Sequence, residues 1–151
     1  MYDIDLFDND AATVSALHED GRMLICYMNA VGWENWRPDA AEFPEEIVGK
    51  SLDGWEGERW LDIRRLDVLA PIMEDRMIAC KNKGFDGFEP DNVDGYLNDT
   101  GFDLTATDQL EFNSWGRRRF SSCGGGNGGW RVCGPPTIRA RHSKFSARNH
   151  K

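Results

Sequence analysis

The sequence lacks several features that define common classes of protein. No stretch approaches the roughly 18 consecutive apolar residues of a membrane span. Its first residues, MYDIDLFDND, are acidic and lack the basic start of a secretory signal, so we expect no signal peptide in this chain, whose location stays open. Only three His residues are present, far apart, and the four Cys residues have no metal-ligand spacing. We therefore predict no metal site and no cofactor, with Cys26 and Cys80 as buried thiols in apolar runs.

Acidic residues are absent from the last quarter of the chain. All 26 Asp and Glu lie in residues 1–115, where nine Lys and Arg leave a balance of −17. Residues 116–151 hold the other nine basic residues, seven glycines and no amphipathic period. Such a composition does not bury a core. We predict a domain over 1–115, followed by an irregular, disordered, basic Gly- and Arg-rich tail over 116–151.

Hydrophobic periodicity divides the acidic part of the chain into strands and helices. Alternating and continuous apolar runs predict four strands, at residues 2–7, 22–28, 59–64 and 84–89. Capping signals and helical spacing predict three helices, at residues 11–21, 66–84 and 105–115. Strands that alternate with helices indicate parallel βαβ units. Residues 29–57 are predicted to form a long Trp-rich loop, which in a compact domain is usually functional.

Polar residues follow each of the predicted strands. In a parallel sheet these positions meet at the carboxyl edge, where the binding sites of α/β proteins lie. We therefore predict a site formed by Asp8 after the first strand, Tyr27 and Asn29 after the second, Asp62 and Arg64 on the third, and Glu89, Asp91, Asn92 and Asp94 after the fourth.

The segment GFDGFEPDNVDGY contains four carboxylates. A calcium loop of the EF-hand type needs oxygen ligands at alternate positions, and a pattern that begins at Glu89 breaks at Val93. An ordinary structural alternative is a turn shaped by Asp91 and Asn92, with Asp94 facing solvent. The position of these acids at the end of a buried strand favours a functional site.

Aromatic residues surround the predicted site. Trp33, Trp36 and Trp55 lie in the long loop, where they either cover the core or stack on sugar rings. Arg37 and Arg64 are each expected to pair with a carboxylate, either to keep a site acid ionised or as structural ion pairs. Glycosidases use two carboxyl groups, one ionised and one protonated. These patterns indicate a parallel α/β domain that handles sugars.

Several long strings give the sequence a more specific likeness. WRPDA, FPEEIVGKSLDGWEGERWLDIR, PIMEDR, KGFDGFEPDNVDGY and NDTGFDLTATDQLEFNSW together resemble glycoside hydrolase family 114, the endo-α-1,4-polygalactosaminidases. The resemblance covers residues 2–115. It implies an incomplete (β/α)8 TIM barrel whose strands here are the second to fifth of eight. It also implies a secreted enzyme that hydrolyses an α-1,4-linked, cationic galactosamine polymer.

The resemblance assigns roles to individual residues. Asp91, in EPDN, matches the catalytic aspartate of the family. Substrate-binding roles are expected for the rest of the predicted site: Glu89, Asp94, Asn92, Asp62, Arg64, Tyr27, Trp36 and Asp8. The second catalytic carboxylate of the family is a glutamate in an N-E-x-C-like segment, which this sequence does not contain. We therefore expect this truncated chain to be inactive.

The change at residue 116 has two interpretations. Family members continue past Trp115 into a further helix turn and strand, and this chain differs from them there. The first interpretation is therefore that residues 116–151 are translated out of frame. The alternative is a real tail that binds an anionic partner. We predict a polysaccharide partner, with no nucleic acid and no membrane. For the whole chain, the alternatives to a hydrolase are a non-catalytic carbohydrate-binding or interaction module and a degenerate gene fragment.

Overall fold

The computed structural model describes the backbone of residues 1–123 and 131–132 and the side chains up to Arg119. Seven strands and three α-helices follow one another along this part of the chain. They are β1 (Tyr2–Asp5), α1 (Ala11–Glu19), β2 (Leu24–Asn29), β3 (Gly32–Glu34), β4 (Val48–Ser51), β5 (Glu58–Leu61), α2 (Leu66–Lys83), β6 (Gly87–Asp91), α3 (Ala106–Cys123) and β7 (Arg131–Val132). Short 3₁₀ turns lie at Ala40–Glu42, Glu45–Ile47 and Gly95–Leu97.

A parallel sheet forms the centre of the fold, with the strand order β1-β2-β6-β7. Its central strand β2 is the apolar run LICYMN, in which every residue except Tyr27 is buried. This agrees with a parallel strand that is covered on both faces. The register aligns Tyr27 with Glu89 and Asn29 with Asp91. Side chains alternate across a sheet, so these four share one face, opposite the one that carries Cys26 and Met28.

The starts of α1 and α3 and the end of α2 lie where the sequence signals predict. The Asp10 carboxylate caps α1 by accepting a hydrogen bond from the Thr13 amide at 2.8 Å. The predicted capping box opens α3: the Thr105 amide donates to Asp108, and the Asp108 amide donates back to the Thr105 hydroxyl. Gly84 ends α2 in the left-handed conformation, with φ +94°.

A second, antiparallel sheet has the order β3-β5-β4 and differs from the prediction. The predicted strand at 59–64 lies in this sheet as β5, and it is not the third strand of the parallel sheet. Its partners come from residues 29–57, which were predicted to be a loop. The turn between β4 and β5 contains Gly54 and Gly57, both at positive φ, and so short a connection forms a hairpin rather than a parallel crossover.

The main core lies between the parallel sheet and the first two helices. Leu24, Cys26 and Met28 on β2 face this core, as do Leu69, Met73 and Cys80 on α2. Cys26 and Cys80 form a disulfide with a Cα–Cα distance of 6.0 Å, so the prediction of free buried thiols is wrong. Both residues have 0% of their surface exposed. The strand that ends in the predicted site is thus covalently tied to the helix behind it.

The predicted change of structure at residue 116 is not present in the described part of the tail. Helix α3 continues from Trp115 to Cys123 without interruption, and β7 pairs with β6 in parallel. The prediction of an irregular tail over 116–151 therefore does not hold for 116–123 or 131–132. The remainder of the tail lies outside the described residues.

No helix in the described ranges is long and apolar enough to cross a membrane. The sheets do not close into a barrel within these ranges.

Candidate active site

The carboxyl ends of β2 and β6 bring Asp91 and Tyr27 together. The Tyr27 hydroxyl donates a hydrogen bond of 2.6 Å to Asp91 Oδ2. Burial raises the pKa of Tyr27, and the hydrogen bond and negative charge of Asp91 raise it further. The phenol therefore stays protonated at all ordinary pH values and remains a donor to Asp91. The hydrogen bond fixes the orientation of the Asp91 side chain at the end of β6.

Asn29 organises the backbone next to Asp91. Only 2% of its surface is exposed. Its Oδ1 accepts hydrogen bonds from the Gly32 amide at 2.7 Å and from Asn92 Nδ2 at 2.9 Å. Asn92 is the one residue other than glycine with positive φ, +60°, within the described ranges. Asparagine tolerates this conformation better than most residues, and the bond to Asn29 helps to hold it.

Glu58 approaches the same cluster from the antiparallel sheet. Asn29 Nδ2 donates a hydrogen bond of 3.1 Å to Glu58 Oε2. The glutamate lies at the start of β5 with 7% of its surface exposed. Burial raises its pKa to about 7, with further contributions from the charges of Glu34 and Asp91. A carboxyl group whose pKa is raised by burial thus belongs to the same cluster as Asp91.

These residues line a cleft of about 480 Å³. The β4–β5 hairpin forms one wall, and the half-exposed indole of Trp55 lies at its rim. The cleft is lined by Tyr27, Lys50, Ser51, Leu52, Asp53, Trp55, Glu58, Trp60, Asp91, Asn92, Asp94, Asn98 and Asp99. Five of these residues are carboxylates and one is a lysine, which is paired with Asp99 at 2.7 Å. The cleft is therefore strongly acidic.

A buried arginine joins the two sheets behind the cleft. Arg37 donates two hydrogen bonds to Asp5 and two to Glu34, at 2.6–2.9 Å. Burial disfavours its charged form, but these bonds outweigh burial and raise the pKa of Arg37. Arg37 was predicted either to keep a site acid ionised or to form a structural ion pair, and its described contacts are those of a structural ion pair. Arg64 likewise binds Asp62, at 2.8 Å.

The structure brings only some of the predicted site residues into the cleft. Asp91, Asn92, Asp94 and Tyr27 line it. Five others are not among the lining residues: Glu89, Asp62, Arg64, Trp36 and Asp8.

The strand topology explains why Asp62 and Arg64 do not line the cleft. They come after β5 of the antiparallel sheet, so they do not lie at the carboxyl edge of the parallel sheet as predicted. Arg64 Nη1 instead donates to the Asp103 carbonyl. Trp36 is 53% exposed and lies against Gly57. Oδ1 of the exposed Asp8 lies 3.8 Å from Nη1 of Arg37.

Glu89 faces a different partner, Asp3 on β1. Partial burial, a hydrogen bond with Glu89 and the charges of Glu89 and Asp91 together raise the pKa of Asp3 to about 7. This pair shares the sheet face of Asp91 but lies towards the edge strand. Within the described residues, no group of three or more His, Cys, Asp or Glu is arranged to hold a metal ion.

Sequence reasoning missed Glu58 as a member of the site. A lone acid beside a turn glycine, in GERW, is usually solvated, and only the antiparallel pairing of β5 turns it inwards. A signal was present in the glycines of LDGWEGERW, which indicate a hairpin between two short strands. Such a hairpin places Glu58 at the start of its second strand, directly after the turn.

Carboxylates at the carboxyl edge of a parallel α/β sheet, beside an exposed indole, form the kind of site that glycosidases use. The family model for glycoside-hydrolase family GH114 matches residues 1–124. The chain belongs to this family. The resemblance noted in the sequence is thereby confirmed.

Two solved structures are similar to this chain. The crystal structure of Aspergillus fumigatus Ega3 in complex with galactosamine is 47% identical, with a TM-score of 0.76, over 78% of this chain and 47% of that one. The glycoside hydrolase domain of PelA from Pseudomonas aeruginosa shares the fold at 12% identity, with a TM-score of 0.61 and the same coverage. This chain thus spans about half the length of the solved structures that it matches. Among curated protein sequences, no significant match was found.

Proposed function

We propose that the protein acts on a galactosamine polymer as a glycoside hydrolase and that Asp91 is one of the two carboxyl groups of its active site. The observation that carries this proposal is the Tyr27–Asp91 hydrogen bond of 2.6 Å at the carboxyl edge of the sheet. Membership of family GH114 and the 47% identity to Ega3, which was solved with galactosamine, support the substrate class. The acidic cleft supports a cationic sugar by simple attraction.

In this proposal the carboxylate of Asp91 stabilises the positive charge that develops at the anomeric carbon in the transition state. Tyr27 holds the carboxylate in place, and Asn29 fixes the backbone beside it through Asn92. Asp94 lines the cleft and is placed to bind hydroxyl or amino groups of the sugar. The roles predicted for Glu89, Asp62, Arg64, Trp36 and Asp8 stay predictions.

The family resemblance implies a second catalytic glutamate in an N-E-x-C-like segment that the sequence of this chain lacks. We therefore propose that the 151-residue chain binds galactosamine oligosaccharides without turning them over. We also propose that its parallel sheet corresponds to part of a (β/α)8 barrel, in agreement with the likeness to Ega3.

We propose an oxidising compartment, outside the cytosol, as the place where the protein functions. The buried Cys26–Cys80 disulfide supports this location. Disulfides form and persist in secreted and extracellular proteins, whereas cytosolic thiols are kept reduced.

Binding of two ligands by the 151-residue chain tests the proposal. The first is an α-1,4-linked galactosamine oligosaccharide, and the second is a galactosamine-configured iminosugar that carries positive charge beside the position of the anomeric carbon. A hydrolytic site binds the charged transition-state mimic more tightly, by about a hundredfold or more. A site that only recognises sugar binds both ligands about equally.

The matched variants are Asp91→Asn and Asp75→Asn. Both remove one negative charge, but Asp75 is exposed on α2 and does not line the cleft. We expect Asp91→Asn to abolish the preference for the iminosugar and Asp75→Asn to leave it unchanged. Equal binding of the iminosugar by all three proteins would contradict the role of Asp91. Release of reducing ends by the wild-type chain, lost in Asp91→Asn, would overturn the prediction of binding without turnover.

A further inference from the structure

Glu58 is a buried acid that the proposed role of Asp91 does not use. Within the described residues its side chain has one hydrogen bond, from Asn29 Nδ2 to Oε2, and no ion pair with Lys or Arg. It is nevertheless 93% buried and lines the same cleft as Asp91. A buried carboxylate without a cation is costly, so such groups normally have a partner.

The charged groups that face Glu58 do not supply this partner. Glu34 on β3 and Asp91 on β6 add negative charge, and both raise the pKa of Glu58. Arg37 lowers it, but the guanidinium is already bound by Asp5 and Glu34. Tyr27 and Asn29 on β2 are neutral. Among the described residues, Glu58 and Asp91 therefore have no cation of their own.

Lys50 is the one cation among the described residues that line the cleft, and its ammonium group already has a partner. Its ammonium group binds both oxygens of Asp99, at 2.7 and 2.8 Å, on the exposed side of the cleft. A metal ion is not favoured at this position, since the described acids do not converge as ligands. The cleft has the volume and the charge for an organic cation, and Trp55 offers it an apolar wall.

We propose that Glu58 is a specificity-determining residue that, together with Asp91, binds the ammonium group of a galactosamine unit and so selects the free amine over the N-acetylated sugar. This inference rests on the proposed function. An ammonium group supplies the missing positive charge and donates hydrogen bonds to the free side of Glu58. An acetamido group is neutral and larger, so it leaves both carboxylates unpaired.

Release of a proton from Glu58 on ligand binding distinguishes ammonium binding from a purely structural role of this residue. With a pKa of about 7, Glu58 is mostly protonated at pH 6 when the cleft is empty. A sugar ammonium next to it favours the ionised carboxylate, so binding at pH 6 releases close to one proton, by the definition of the pKa. Affinity for the galactosamine probe therefore rises about fivefold between pH 6 and pH 7, because less Glu58 has to lose its proton on binding.

The test is titration calorimetry of the 151-residue chain with two probes, an α-1,4-linked galactosamine tetrasaccharide and its fully N-acetylated counterpart. Measurements at pH 6 in buffers of different ionisation enthalpy give the protons released. We expect Glu58→Gln to bind the galactosamine probe roughly tenfold to a hundredfold more weakly at pH 7, and to release no proton at pH 6. Its affinity for the N-acetylated probe should stay the same or rise.

Glu56→Gln is the matched control. It makes the same change of charge in the same turn, but Glu56 is exposed and does not line the cleft. It should behave like the wild-type chain. Glutamine retains an oxygen that accepts the bond from Asn29, and a thermal melt of each variant checks that the fold is kept.

Three results distinguish failure of the proposed function from failure of the assignment of Glu58. If the wild-type chain binds neither probe, the proposed function fails and the assignment of Glu58 fails with it. If the wild-type chain binds both probes equally, or releases no proton at pH 6, only the assignment of Glu58 is wrong. If Glu58→Gln keeps the wild-type preference and proton release, another group binds the amine and the assignment is again refuted.

Discussion

The disulfide between β2 and α2 leads to a quantitative prediction about stability. Cys26 and Cys80 are separated by 54 positions, and the bond closes the whole intervening loop in the unfolded chain. The chain-entropy relation for a loop of this length gives a stabilisation of about 4 kcal/mol. Single domains have unfolding free energies of about 5–15 kcal/mol, so a large part of the stability of this fold depends on one covalent bond.

The perturbation is reduction of the disulfide, compared with the double variant Cys26→Ala/Cys80→Ala. Urea unfolding, followed by tryptophan fluorescence with and without reductant, measures the unfolding free energy. We expect the wild-type chain to lose about 4 kcal/mol when reduced. The double variant should be similarly destabilised under both conditions, with an added cost for the two buried sulfur atoms that it removes.

The other two cysteines provide the control for this experiment. A Cys123→Ala/Cys133→Ala variant keeps the bond between β2 and α2, so it should respond to reductant as the wild-type chain does. Equal unfolding free energies for the oxidised and reduced wild-type chain would refute the reasoning. So would a reductant effect that persists in Cys26→Ala/Cys80→Ala and disappears in the control variant.

Three further predictions concern the residues that support the cleft. Because the pKa of Glu58 rises from 4.5 to about 7 on folding, the folded state keeps a proton that the unfolded state loses. Glu58 should therefore lower the unfolding free energy by about 3 kcal/mol between pH 4.5 and 7, in addition to the fall caused by Asp3, and denaturation at pH 5 and pH 8 should show a smaller fall in Glu58→Gln. Arg76→Met leaves the carboxylate of Asp39 without its ion pair of 2.6 Å, which should cost about 3–5 kcal/mol in urea unfolding. Gly32→Ala places a methyl group against Asn29 Nδ2, so we expect a destabilisation of roughly 1–3 kcal/mol in urea unfolding and weaker binding of the galactosamine probe in calorimetry.

Much of the local structure could be predicted from the sequence because its signals are local. Asp10, Gly84 and the Thr105–Asp108 pair act within one helical turn, and the caps that they form are present in the structure. The apolar run of β2 likewise identifies a strand covered on both faces. Asp91 could be predicted because it lies at the end of a strand, β6, and because the family resemblance covers it.

The direction of β5 could not be predicted in the same way. A short strand has the same pattern in a parallel or an antiparallel sheet, and its partners decide between them. Those partners, β3 and β4, are three and four residues long and lie among glycines and prolines, so their own signals are weak.

The disulfide and the position of Glu58 depend on distant contacts. Cys26 and Cys80 meet only when α2 packs on the sheet, and nothing within a few residues of either distinguishes a thiol from a disulfide. Glu58 becomes a buried acid only through the pairing of β5. Burial, rather than residue type, then shifts its pKa to about 7, and burial is a property of the folded chain.

The division of the cleft between two sheets has a consequence for how sugar preference changes among related proteins. Asp91 and Tyr27 lie on the parallel sheet, whereas Trp55 and Glu58 belong to a hairpin of the antiparallel one. The turn at residues 52–57 is mostly exposed, and exposed turns tolerate insertions and substitutions. Mutation or library design in this turn can therefore alter which sugar is held while the Tyr27–Asp91 pair keeps its geometry. New specificities within this family should arise first in the hairpin and only rarely in the strands that carry Tyr27 and Asp91.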